Sequence, residues 1–233
     1  MSAASRQVPR SRLQKRPLGL LVCLLLATLS SGCLPKPKIY QFTATPAVAC
    51  PGDEVTLRWE TNGPVHIQST PLVPSLGTKG LSGTQKVTIS GPTRFHIETY
   101  RVFGLKKELT ENEVLSPPKE LEYGIVDAGQ QSHFTCSAQM GALESSFQLD
   151  ENHLSSNVRI GQVRNMNARS LVITKGEVSE TVGELASAPG FEGQPAQGLW
   201  KLRVPLDEGE SCEDALEAVD GRLIIKFQLS CPR

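Results

Sequence analysis

From residue 39 onward, apolar and polar side chains trade places at every second position in short runs, and Gly, Pro and Asn punctuate those runs. EVTLRWET shows the rule. Val55, Leu57 and Trp59 fall on one side, with Glu54, Thr56, Arg58 and Glu60 on the other, which is the period of a strand buried on one face. The same spacing turns Val65 with Ile67, Val87 with Ile89, and Phe95 with Ile97 toward a core. A break follows at LSPPKELEYGIVDAGQQ, and then a second series: SHFTCSAQ, SSFQLD, NVRIGQVRN, RSLVITKG, LWKLRVPL and RLIIKFQLS. In that series Trp200, Leu202 and Val204 alternate inward, and the run 223–229 is apolar enough to be a central strand. Only CEDALEAV has helical character, with Ser211 placed as an N-cap and acidic residues in the first turn. Short strands divided by turns in this way predict an all-β chain of two antiparallel β-sandwiches, 39–126 and 127–233, the second a sandwich or jelly roll.

The first 38 residues follow no such pattern. Arg6, Arg10, Arg12, Lys15 and Arg16 precede an apolar run, LGLLVCLLLATL, at 18–29, with no acidic residue among them. That run is well short of the roughly 20 residues a helix needs to cross a bilayer. A basic start and a short apolar core predict a secretory signal peptide over 1–32. Leu29-Ser30-Ser31-Gly32-Cys33 resembles the bacterial lipobox, in which small residues precede a cysteine that becomes the acylated N-terminus. It departs from that pattern where Ser30 stands in the place usually held by Leu. The resemblance implies lipidation at Cys33 and contact with the lipid bilayer through the acylated N-terminus. The lipidated Cys33 and the stiff tether LPKPK together make up 33–38. Leu34 stands where Asp marks inner-membrane retention in enteric bacteria, so the expected location is the cell envelope, with the outer membrane favoured.

Removing the leader changes the charge. The whole chain is neutral, but residues 33–233 carry 19 basic against 24 acidic side chains, a net charge of −5. Such a balance offers no basic surface for nucleic acid.

The order PGDEVTLRWETNG, then a short strand, then GTQKVTISGPTRFHIETYR, resembles bacterial immunoglobulin-like domains. The resemblance implies a sandwich used as a spacer or adhesive module. Antibody-type domains bridge their sheets with two cysteines, and only Cys50 falls in this region. Further on, Phe191 to Val204, with Gly198 before Trp200 and an alternating strand, resembles the closing motif of the jelly-roll P domains of secreted proteases. The turn that precedes this motif in that family is missing or displaced here.

Of six cysteines, Cys23 lies in the leader and Cys33 takes the lipid, which leaves Cys50, Cys136, Cys212 and Cys231. An even number in an exported chain predicts disulfides. Cys212 with Cys231 is the favoured pair, with Cys136 to Cys231 close behind.

Sites with chemistry are few. The alternation that buries Val65, Ile67, Phe95 and Ile97 sends His66, His96 and Glu98 to the opposite face, where neighbouring strands would bring two imidazoles and a carboxylate together as metal ligands or as a solvated cluster. DEGESCED, 207–214, concentrates five carboxylates and reads as a calcium loop or a solvated acidic loop. KELTENE, from Lys107, reads as an exposed turn. No phosphate loop, zinc-protease motif or nucleophile elbow occurs, and no cofactor is expected. The expected function is that of a membrane-anchored envelope lipoprotein, a non-catalytic protein-interaction or structural accessory module with an envelope protein as partner. Two alternatives remain: a carbohydrate-binding lipoprotein, and an accessory region of a secreted hydrolase.

Overall fold

A computed structural model describes residues 36–100, 107–126, 134–137, 141–219 and 221–232. The described chain is almost wholly antiparallel β, in two sandwiches, as the alternation predicts. The first comprises β1 (Ile39–Thr45), β2 (Glu54–Thr61), β3 (Val65–Thr70), β4 (Gly77–Lys79), β5 (Ser82–Thr88), β6 (Thr93–Tyr100) and β7 (Lys107–Val114). A three-stranded sheet ordered β1-β2-β5 faces a four-stranded sheet ordered β4-β3-β6-β7, an immunoglobulin-like arrangement. Its core joins Val55, Leu57 and Trp59 to Ile67, Phe95 and Ile97. Gly83 lies opposite Trp59 in the β2–β5 register, and a Cβ there would sit 2.5 Å from the indole ring. The indole therefore fixes glycine at that position.

β7 corrects one expectation. KELTENE is strand, not turn. Its side chains are mostly exposed or half-buried because it is an edge strand, so its hydrophobic alternation is faint. Backbone pairing with β6 over all eight residues and an Asn112 amide bond to the Phe42 carbonyl (2.7 Å) hold it in place.

The second sandwich comprises β8 (Lys119–Val126), β9 (Thr135–Ser137), β10 (Ala142–Leu149), β11 (Arg159–Asn165), β12 (Leu171–Lys175), β13 (Val178–Val182), β14 (Ser187–Ala188), β15 (Gly198–Pro205) and β16 (Arg222–Ser230), with one short helix, α1 (Cys212–Glu217). One sheet runs β13-β12-β15-β10-β9 and the other β14-β11-β16-β8. With β9 set aside as an added edge, this is the eight-strand order of a jelly roll. Trp200 is fully buried at its centre, 4.8 Å from the Phe227 ring and 5.3 Å from Phe191, centroid to centroid. β16 is central, flanked by β11 and β8, as its apolar run predicts. Ser211 caps α1 through a reciprocal bond pair with Asp214.

β8 lies within the expected first region, 39–126, yet it pairs along its whole length with β16 and supplies the opening strand of the jelly roll. The crossing point is Pro117-Pro118, ahead of the strand. Periodicity reports that KELEYGIV is a strand; it does not report which sheet completes it.

The two bodies are bound together by residues 46–53, between β1 and β2. Val48 forms parallel bridges to both Leu115 and Leu154. Its N–H donates to the His153 carbonyl (3.0 Å) and its carbonyl accepts from the Ser155 N–H (2.9 Å). The Val48 side chain sits in the core of the second sandwich, while its neighbour Ala49 sits in the core of the first.

The disulfides correct the expected pairing. Cys50 bonds Cys231 and Cys136 bonds Cys212, with Cα separations of 5.6 and 5.9 Å. Topology explains both. β8 starts at the junction and β16 runs antiparallel to it, so β16 delivers Cys231 back to Cys50. Cys136 lies on β9 beside β10, where the 141 turn bonds Leu206 and brings the start of α1 alongside. Cys212 and Cys231 therefore stand at opposite ends of β16.

Candidate functional site

The junction between the sandwiches holds a cleft of about 680 Å³, lined by Thr45, Asp53, Glu54, Glu151, Asn157 and Gln197 among others. Its organising residue is Asp53. The turn at Gly52, with φ +93°, swings the Asp53 carboxylate into the protein, where the residue is 7% exposed. That carboxylate accepts from the Cys50 N–H (2.7 Å), the Asn157 side-chain amide (2.5 Å) and the Ser155 hydroxyl. Two of these donors belong to the second sandwich. A buried carboxylate needs such partners, and here they come from the chain itself, so Asp53 acts as a rivet between the domains. Sequence reading passed over Asp53, although AVAC, four small or apolar residues between two strands, is the signal that this connection is buried.

The expected histidine cluster is assembled in part. β3 and β6 are neighbours, and His66 lies opposite Glu98 in their register, with His96 opposite Gln68. Each group has turned to a different partner. His96 Nδ1 is 3.0 Å from the Glu111 carboxylate, and His66 Nδ1 is 3.4 Å from the Thr78 hydroxyl. The Tyr100 hydroxyl, then Lys107 Nζ at 3.1 Å, hold the Glu98 carboxyl below the usual glutamate range. Among the described residues no group of three His, Cys, Asp or Glu side chains is placed to hold a metal ion. His153 bonds Asp150 in the loop before Leu154.

The acidic stretch 207–214 is likewise occupied from within. The Arg169 guanidinium bonds both oxygens of Glu210 and lies 3.3 Å from Asp207, and Asp214 is used by the α1 cap. The Arg169 bond is the leading cause that keeps Glu210 below its ordinary pKa; the Ser211 hydroxyl does the same for Asp214. Arg169, 38 residues upstream of Asp207, carries no local sign of this role.

A third surface was not anticipated. On the outer face of the five-stranded sheet, Lys201 stands directly across from Ser146 on β10 and Thr174 on β12, and Thr174 in turn faces Ser179 on β13. One row of the sheet is therefore hydroxyl, hydroxyl, ammonium, hydroxyl. The next row carries Arg203, 3.5 Å from the Glu144 carboxylate, with Thr135 beyond it. These residues line a groove of about 430 Å³. A second groove of about 360 Å³ shares Thr174 and Lys201 and adds Lys175 and Leu199. Burial lowers the Lys175 ammonium below the usual lysine range.

Cys33 and the segment 1–32, with His133, lie outside the described residues. Among the described residues no helix is long and apolar enough to cross a membrane.

No protein-family model and no curated protein matches the chain. Among solved structures it aligns with the secreted serine protease VesC from Vibrio cholerae at 8% identity and a TM-score of 0.20, over 82% of this chain and 51% of that one. The chain thus spans about half the length of that protein, and a likeness at this score carries no argument about fold or activity.

Proposed function

We propose that the chain is a membrane-anchored cell-envelope lipoprotein whose two sandwiches act as a non-catalytic protein-interaction or structural accessory module. One observation carries the reading. The chain enters the first sandwich at the Ile39 end of β1, opposite Thr61, whereas the second sandwich is bound at the other end, where Thr45, Glu54 and Val114 lie. An anchor at Cys33 would therefore hold the first sandwich near the bilayer and the jelly roll away from it. Five residues lie between Cys33 and Ile39, and the six steps from one to the other have an extended reach of about 20 Å. The anchor itself follows from acyl-chain burial, about 0.8 kcal/mol per methylene, with two or more chains needed for stable attachment. The junction supports the same reading, because an arm that presents a distal surface works best when its parts do not swivel.

The partner is an envelope protein. Immobilising the oxidised full chain in detergent and exposing it to solubilised envelope protein tests this, with a chain bearing Cys33→Ala as the membrane-free comparison. The reading predicts one specific protein retained by both chains over a blank surface. Retention of none by either chain would remove the interaction role.

A further inference from the structure

We propose that the Ile39 end of the first sandwich docks on the bilayer surface, with the Tyr40 ring and the Leu81 and Leu109 side chains dipping into the boundary between headgroups and acyl chains. This rests on the anchored reading and deepens it, because it names the surface that meets the lipid.

A departure from alternation comes first. Phe42 and Ala44 pack on the core from β1, and a strict two-residue period would send Tyr40 in with them. The ladder instead shifts between Ile39 and Gln41, so that Tyr40 stands opposite no residue of β2. Ile39 packs against the core, and Tyr40 is 56% exposed. A bulge re-aims a side chain, and this one turns a tyrosine outward on the first strand after the tether. Leu81 is presented as firmly. Its carbonyl accepts from the Thr61 N–H (2.8 Å) and hydroxyl (2.9 Å), the Trp59 indole N–H holds the Gly80 carbonyl (3.1 Å), and the side chain is 53% exposed. Thr61 lies opposite Ile39, which places Leu81 at the same end. The Ile39 N–H donates to the Glu108 carboxylate (2.7 Å) and sets the start of β7 beside β1, with Leu109 next in line and 48% exposed. Of the large apolar side chains left exposed among the described residues, these three share one end. Leu72 lies past the far end of β3, and Leu185 and Leu199 belong to the second sandwich.

The course of the chain says what covers them. An acylated Cys33 keeps this end within about 20 Å of lipid, at a high effective concentration. Three half-exposed side chains are too few to bind a bilayer alone, and enough to orient a body already held there. Tyr40 has an apolar ring and a polar hydroxyl, and Lys38 Nζ lies 5.4 Å from its ring centroid. That pairing suits a membrane–water interface, where the ring sits at headgroup level and the ammonium extends toward phosphate. Charge does not select the partner. Lys36, Lys38, Lys79 and Lys107 stand at this end with Glu60, Glu98 and Glu108, so neither sign dominates. Glu98 is engaged by Lys107, and Glu108 by the Ile39 N–H. The apolar tips therefore carry the docking, and anionic lipid is not required.

The test places the acylated full chain in phosphatidylcholine vesicles whose acyl chains carry bromine, a contact quencher of indole fluorescence. Tyr40→Trp and Leu81→Trp report on the proposed surface, Leu72→Trp on the far end of the same sandwich, and Leu199→Trp on the jelly roll. Circular dichroism confirms the fold of each variant, and flotation confirms that each chain stays with the vesicles. The emission that Tyr40→Trp and Leu81→Trp add over the wild type should be blue-shifted and quenched, and should stay so at high salt. The emission added by Leu72→Trp and Leu199→Trp should be neither. Chains that float while Tyr40→Trp and Leu81→Trp escape quenching overturn the docking and leave the anchor standing. Equal quenching at all four positions, or quenching lost at high salt, also overturns it. A wild type that does not float with the vesicles overturns the anchor and the docking together.

Discussion

Asp53 shows how much one side chain can decide. Its carboxylate gathers a backbone N–H from its own turn and two side-chain donors from the other sandwich. Replacement by Ala would leave the Cys50 N–H and the Asn157 amide without that acceptor, and hydrogen bonds to a charged group are worth about 1.5–3 kcal/mol each. We expect Asp53→Ala to cost about 3 kcal/mol in denaturant unfolding and to raise amide exchange around 153–157 before it does so in either core. Unchanged exchange there would mean that Val48 and the disulfide hold the junction without it. The residues legible from sequence were those whose role is written in their neighbours. Trp59, Trp200 and the alternating aliphatics lie where their period put them. Asp53 and Arg169 were not legible, because each acts on groups brought near only by the fold.

At the scale of elements, strands were readable and their partners were not. β8 was expected in the first sandwich and KELTENE as a turn, since a two-residue period marks one buried face and carries no information about the sheet beyond it. The cysteine pairing failed for the same reason. Only once β8 is known to pair with β16 does Cys231 return to Cys50. The acidic loop before α1 gives a prediction at this scale. Glu210 is held below its ordinary value of 4.5 chiefly by its bond to Arg169. A group with a lowered folded pKa contributes stability that is present above the unfolded value and is lost as pH falls through the folded one. Arg169→Ala should therefore lower the thermal midpoint at neutral pH, and its deficit against the wild type should shrink as pH drops below about 4.5. A constant deficit down to pH 2 would show that Arg169 acts by packing alone.

For the whole molecule, the Cys50–Cys231 bond matters most, because it closes a loop of 181 residues that spans both sandwiches. The loop-entropy model values such a closure at about 5 kcal/mol. Cys231→Ser should lower unfolding stability and separate one transition into two, as each sandwich keeps its own core. A single transition in the variant would mean that the shared segment 46–53 alone couples them. With the junction fixed and the jelly roll at the end away from Ile39, the anchored reading gives the molecule a direction, from bilayer to distal surface. That reading rests first on Cys33, the residue from which the direction starts. The decisive measurement is fractionation of cells producing the wild type or Cys33→Ala, with the mass of the N-terminal peptide determined from each. The account predicts a wild type that stays with membranes until detergent is added and whose peptide begins at an acylated Cys33, and a Cys33→Ala chain in the soluble fraction. A Cys33→Ala chain that remains in the membrane pellet, or a wild-type peptide that carries no acyl group, would contradict it.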